Sequence, residues 1–291
     1  MISCLQSITI MVTNLANRML ADRDFKRLSQ FINAECGIKV PPAKKTMLES
    51  RLQKRLRSLG MNDYKDYCEY LFSLKGMEIE MPHLLDAVTT NTTHFFREPK
   101  HFEYLYNNVL PEWFEKRGRF GELVIWSAGC STGEEPYTLA MVLSEFAGQN
   151  PGFSFVIVAT DINNEVLNTA HKAVYSEEKT AKIPPLLRRK YLLKSRDRNS
   201  RLVRIVPELR QKVRFRRLNF MGEFGFREPL DIIFCRNVMI YFDRPVQENL
   251  LQKFVHHLDK GGYIFIGHSE SLAGMDLGLE QAAPTVYKKK A

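Results

Sequence analysis

Up to about residue 85, apolar positions recur at helical spacing. Phe25, Leu28, Phe31 and Ile32 share one face, and Gly37 follows as a stop signal. Pro41-Pro42 opens a second helix with Leu48, Leu52, Leu56 and Leu59 on one side, ended by Gly60. Asp63 stands where an N-cap would start a third, with Tyr64, Tyr67 and Leu71 turned inward. A fourth is expected from Met81 to Val88. Residues 21–85 therefore read as a small all-helical domain. Residues 1–20 read as an extension, since they lack the early basic residues and cleavage pattern of a signal peptide.

After residue 120 the period changes. Leu123–Trp126, Phe155–Ala159, Asp231–Phe234 and Tyr263–Ile266 are short apolar runs, and a helical pattern from Tyr137 to Phe146 separates the first two. Strands alternating with helices predict a parallel, doubly wound α/β sheet over 121–291, with 86–120 as the linker. Residues 183–217 break the alternation. Arg201–Val206 and Lys212–Arg216 alternate with period two among many Lys and Arg, which predicts a basic antiparallel β insertion.

Composition narrows the class. The chain has 291 residues and a formal net charge of +9, with 44% hydrophobic residues. That is enough for a real core, and no apolar run approaches the ~20 residues of a membrane span. The five cysteines are widely spaced with no CxxC, which fits neither a disulfide framework nor a zinc site and points to the cytoplasm. The charge implies an anionic partner: nucleic acid, a membrane surface or an acidic protein. No heptad pattern demands a dimer, so a monomer is expected.

The candidate chemistry sits at strand ends. Trp126-Ser-Ala-Gly129-Cys-Ser-Thr-Gly133-Glu134-Glu135 runs strand, glycine loop, helix. Its GxxxG spacing is not the dinucleotide GxGxxG, and no Gly-Lys-Ser/Thr follows. Glu134 and Glu135 would repel phosphate at the helix N-terminus but suit a cationic ligand. Asp161, at the end of the second strand, is placed to accept hydrogen bonds from ribose hydroxyls. Arg236 and Asn237 are polar residues within an apolar run at another strand end. Thr89-Thr-Asn-Thr-Thr-His-Phe-Phe-Arg-Glu98 is dense in hydrogen-bonding groups around two aromatics. Together these describe a nucleoside site without phosphate recognition, which S-adenosylmethionine fits better than nicotinamide or ATP.

TTNTTHFFRE, WSAGCSTGEEPYTLAM, ATDIN, LNF, IIFCRNVMIYF and GGYIFIGHSES, in this order from about Phe25 to Tyr287, resemble the chemotaxis receptor methyltransferases (CheR). The resemblance implies an N-terminal helical domain joined to a class I methyltransferase, Rossmann-like sheet with an inserted antiparallel β subdomain. It implies an S-adenosylmethionine-dependent protein-glutamate O-methyltransferase acting on cytoplasmic helices of chemoreceptors. By the same resemblance Asn91, Thr93 and Arg97 contact the cofactor. Glu135 binds its amino acid end and Asp161 its ribose, Asn219 and Phe220 flank the adenine, and Arg236 and Asn237 line the opposite wall. Arg97 and Tyr241 sit near the reactive methyl. Lys44, Lys45, Arg51, Lys54, Arg55 and Arg57 form the basic docking helix. Some members also bind a receptor C-terminal peptide at the β subdomain. Here the loop Lys194–Ser200 lacks the glycine those members carry, which counts against tethering.

Two rival readings remain. A nucleic acid methyltransferase is disfavoured, because the motif expected after the fourth strand is replaced by Arg236-Asn237-Val238-Met239 and the insertion lacks interleaved aromatics. A non-catalytic, methyltransferase-like adaptor would show lost site residues, and no loss is visible.

Overall fold

The computed structural model describes residues 19–118, 121–197 and 199–290, in two compact units that divide between Thr90 and Asn91. The extension read over residues 1–20 lies outside the described residues except for its last two. Among the described residues no helix is long and apolar enough to cross a membrane. Cys36, Cys68, Cys130 and Cys235 are buried free thiols.

The first unit holds the four expected helices at Asp22–Cys36, Lys45–Leu59, Tyr64–Leu71 and Met81–Val88. Gly37 ends the first with φ 71° and Gly60 the second with φ 68°, both in the left-handed region that suits glycine. Asp63 caps the third by accepting the Asp66 amide at 2.8 Å. Leu28, Ile32, Leu48, Leu52, Tyr67, Leu71 and Leu84 are fully buried between them. A further helix at Leu74–Ile79 was not anticipated, being six residues long and too short to show a period. Ser73 caps it through the Gly76 amide, and a Cβ on Gly76 would lie 1.8 Å from the Tyr70 carbonyl oxygen.

The second unit is built on a seven-stranded sheet. Its strands are β1 (Glu122–Ala128), β2 (Ser154–Asp161), β6 (Val213–Arg217), β7 (Leu230–Cys235), β8 (Leu258–Ile266), β9 (Leu279–Ala283) and β10 (Val286–Lys289), in the order β6-β2-β1-β7-β8-β10-β9. The first five in that order pair in parallel; β10 pairs antiparallel with β8 and β9. Chain order runs one way from β1 to β2 and the other from β7 to β8. The carboxyl ends of β1 and β7 therefore flank a switch point, where open α/β sheets place ligands. The four expected apolar runs all lie in this parallel block.

Three expectations are corrected. Residues 86–120 are not a linker: 86–88 finish a helix of the first unit, and Pro99–Arg117 is helical through a π turn at Leu105–Val109, burying Phe102, Leu105, Val109 and Leu110 in the sheet's core. The β insertion does not span 183–217. Its three-stranded antiparallel sheet, in the order β3-β5-β4, consists of β3 (Val174–Ser176), β4 (Leu192–Lys194) and β5 (Leu202–Ile205). Residues 213–217 instead form β6, a parallel edge strand on β2. An edge strand with Arg214 and Arg216 facing solvent alternates as an antiparallel one does, so period two could not separate the cases. Lastly, the strand expected at Tyr263–Ile266 begins earlier, at Leu258, in β8, beside a register irregularity between Leu230 and Ile232.

Candidate active site

The glycine loop turns sharply off β1. Gly129 has φ 84°, and a Cβ there would meet Val238 Cγ2 at 2.5 Å. Its amide and that of Cys130 both donate to the Thr160 carbonyl, at 2.8 and 2.9 Å. The turn therefore closes tightly over the end of β2, and only a residue without a side chain fits.

The two acids that follow have separate tasks. Glu134 is fully buried, accepting from Thr132 Oγ1 at 2.5 Å and facing Lys179 Nζ at 3.4 Å, so it fastens the helix start. Glu135 accepts from Ser127 Oγ at 2.7 Å and from Arg236 Nη1 at 3.3 Å. Burial pushes its carboxyl up, against the pull of Arg236 and Ser127.

Asp161 is buried at the end of β2. Its Oδ2 accepts the Ser131 amide at 2.8 Å and its Oδ1 the Asn163 amide at 3.0 Å. The helix cap here is Asn163, whose Oδ1 accepts the Val166 amide at 3.0 Å. Asp161 is therefore not the cap. A carboxylate has about four acceptor positions, and two amides fix its plane across the glycine loop.

Arg236, at the end of β7, is the buried centre of the arrangement. Its Nη1 reaches Glu135; its Nε and Nη2 donate to Glu98 Oε2 at 3.3 and 3.1 Å, and Nη2 also donates to the Arg97 carbonyl. Asn237, left-handed at φ 59°, donates through Nδ2 to Glu98 Oε1 at 3.3 Å. Glu270 accepts the amides of Asn237, Val238 and Met239 at 3.0, 2.9 and 2.8 Å and that of Gly267 at 2.5 Å, which knits the loop after β7 to the loop after β8.

The Asn91–Glu98 strap lies on the same unit. The Asn91 carbonyl accepts from Ser131 Oγ at 2.9 Å, and Thr93 is half-buried. Phe95 is fully buried edge-on to Tyr175. Arg97 curls back, its Nη1 donating to the Thr92 carbonyl at 2.9 Å. Tyr241, half-buried, ends a 3-10 turn at Met239–Tyr241 that hangs from Glu270. Asn219 Oδ1 accepts the Met221 amide at 3.1 Å. Phe220 packs its ring on Trp126 and Phe254, so that side chain belongs to the core.

Phe96, Glu98, Ser131 and Asn237 are all left-handed without being glycine, at φ 53°, 57°, 49° and 59°. Such strain, of order 1–3 kcal/mol each, persists where surrounding contacts enforce it. Sequence reasoning missed Glu98, Ser131 and Glu270. Each stands within or beside a quoted motif, but their roles lie in contacts with distant residues that no spacing encodes.

The donor set fits S-adenosylmethionine. Carboxylates at the glycine loop suit a cationic amine and ribose hydroxyls, and the helix start carries buried acid where a phosphate would need positive potential.

The basic helix belongs to the first unit, and its six residues separate. Arg55 makes a bidentate pair with fully buried Glu80, both bonds 2.8 Å, and Arg51 donates to the Val88 and Thr89 carbonyls and Thr90 Oγ1. Lys45 pairs with Asp22 at 2.6 Å. Lys44, Lys54 and Arg57 are exposed.

Comparison with known proteins agrees with this layout. Residues 91–287 match the family described as "CheR methyltransferase, SAM binding domain", and residues 23–89 match "CheR methyltransferase, all-alpha domain". The chain is 42% identical over 270 residues to a chemotaxis protein methyltransferase of Borreliella burgdorferi, covering 91% of this chain and 94% of that one. It is 37% identical over 281 residues to that of Escherichia coli, covering 96% and 95%. With both domains matched and these relatives aligned nearly end to end, the chain belongs to the CheR methyltransferases, enzymes whose larger domain binds S-adenosylmethionine.

Proposed function

We propose that this chain is a cytoplasmic protein-glutamate O-methyltransferase that converts chemoreceptor glutamates to methyl esters, releasing S-adenosylhomocysteine. The observation that carries the cofactor side is the pairing of Asp161 with the glycine loop and of Glu135 with Arg236 at the sheet's switch point. Asp161 would hold the ribose, Glu135 the amino acid end, Asn91 and Thr93 the strap side, and Asn219, the Phe220 backbone, Arg236 and Asn237 the walls. When bound, S-adenosylmethionine supplies an electrophilic methyl on a sulfonium, and its transfer to a carboxylate oxygen returns the bonding pair to sulfur.

The protein's own task is modest. A glutamate, with a pKa near ~4.3, is already ionised at neutral pH, so no general base is needed. Arg97 steers and orients the incoming carboxylate, and Tyr241 orients it at the methyl; alignment supplies most of the rate. Lys44, Lys54 and Arg57 are the exposed charges that attract acidic receptor helices, while Arg51 and Arg55 shape the helix that presents them. Strand β4 is an edge of the small sheet, which leaves a receptor C-terminal peptide a place to add a strand.

The test has two arms. Calorimetric titration with S-adenosylhomocysteine should give micromolar binding that weakens at least tenfold in Asp161→Ala. Label from methyl-labelled cofactor should enter receptor fragments and leave as methanol in mild alkali, as an ester does. Base-stable label would overturn ester formation, and no binding by the native protein would favour a non-catalytic adaptor.

A further inference from the structure

Glu98 follows Arg97 directly, and it makes as many hydrogen bonds in the site as Arg236 does. Its Oε2 accepts from Arg236 Nε and Nη2, and its Oε1 accepts from Asn237 Nδ2 and the His268 amide, both at 3.3 Å. Four donors from two loops thus converge on one side chain of the strap. Its backbone is left-handed, and it precedes Pro99, where the helix on the sheet begins. Burial is the largest influence on Glu98 and opposes its ionisation, but Arg236, the His268 amide and Asn237 together outweigh it and hold the carboxyl below the ordinary range. Glu98, His101 and His268 also bring ligand-type atoms within 4.8 Å of one another, as a metal site would. The cation that Glu98 faces is nevertheless the Arg236 guanidinium at 3.1 Å. An ion pair, not a metal centre, accounts for the cluster.

We propose that Glu98 is a positioning residue for methyl transfer: its carboxylate clamps the Asn91–Glu98 strap to the loops after β7 and β8 and, by holding Arg236, sets the wall of the cofactor site and the stance of Arg97. The inference rests on the cofactor site described above. Arg236 has two acidic partners, Glu98 and Glu135. Losing Glu98 turns Arg236 wholly toward Glu135, the residue assigned to the cofactor's amino acid end, and releases the strap that carries Arg97. Both binding and turnover should suffer, although Glu98 touches neither reactant.

Glu98→Gln preserves shape and removes charge. Glu98→Gly removes the side chain but suits the left-handed backbone, so it separates clamp from strain. In both, S-adenosylhomocysteine should bind at least tenfold more weakly and kcat should fall at least tenfold, with the thermal midpoint of the Gly variant no lower than that of Glu98→Ala. A cycle with Arg236→Gln gives the discriminating readout. If Glu98 acts through Arg236, the double variant Glu98→Gln/Arg236→Gln loses little more affinity than Arg236→Gln alone. Additive losses, or native affinity and turnover in the Gln and Gly variants, would overturn the inference. Failure of the native protein to bind would instead count against the cofactor site.

Discussion

Arg55 shows how a residue's neighbours decide its meaning. In the sequence it is one of a run of basic residues; in the structure it forms a bidentate ion pair with Glu80, which has no exposed surface and also accepts from Tyr67 Oη at 3.2 Å. Removing one partner of a buried pair leaves an uncompensated charge, at a cost of about 3–5 kcal/mol. Arg55→Ala should therefore lower the urea midpoint markedly, whereas Lys54→Ala, one position away but exposed, should stay within about 0.5 kcal/mol of the native protein. Equal midpoints for the two variants would refute the structural assignment of Arg55. Gly129 makes the complementary case. Gly129→Ala combines φ 84° with a 2.5 Å approach to Val238, so it should displace the glycine loop and weaken S-adenosylhomocysteine binding by more than tenfold in a calorimetric titration. Binding within a factor of two would mean that the loop yields.

Among whole elements, the helix Lys45–Leu59 carries the test of docking. Its leucines 48, 52 and 56 are buried, so the exposed charges stand on the opposite face. Charge at such a surface acts chiefly on association rate and is screened within about 10 Å at 0.1 M salt. The double variant Lys54→Glu/Arg57→Glu should cut kcat/KM for receptor fragments several-fold at low salt and converge on the native value near 1 M, with S-adenosylhomocysteine affinity unchanged. A salt-independent defect would point to misfolding rather than docking. Legibility also varies by element. The helices bounded by Gly37, Gly60 and Asp63 were readable because each boundary has a local chemical cause. Strand β6 is legible as a strand but its neighbour is not, since alternation reports which faces are wet and not which strand lies alongside. β3, three residues long, left too little pattern to read.

For the molecule as a whole, sequence motifs located the strand ends that form the site, but the groups binding those ends together were hidden: Glu98, Glu270, and the histidine behind them. His101 is buried among Glu98, Arg236, His268 and Phe265, with Nε2 2.7 Å from Thr285 Oγ1 near the far end of the chain. Burial first, and then the Arg236 charge, push it down to about 4. Unfolding restores its ordinary value of 6.5, so the unfolded chain binds more protons between those limits. This contribution to stability is complete above pH 6.5 and is lost as pH falls toward 4, amounting to at most about 3 kcal/mol. Glu112 titrates lower. It accepts from Lys116 Nζ at 2.5 Å, Lys288 Nζ at 2.6 Å and Tyr263 Oη at 2.5 Å, joining the helix before β1 to β8 and β10. Burial opposes its charge, but these bonds prevail and bring it to about 2, so its contribution persists above pH 4.5 and fades below. Urea midpoints measured against pH should then fall in two stages. His101→Gln should flatten the slope between 6.5 and 4, and the gap between native protein and Glu112→Gln should hold from pH 7 to 4.5 and close toward 2. A slope between 6.5 and 4 that survives His101→Gln would assign the first stage to another group, and with it would go the picture of a neutral histidine wedged beneath the Glu98–Arg236 pair.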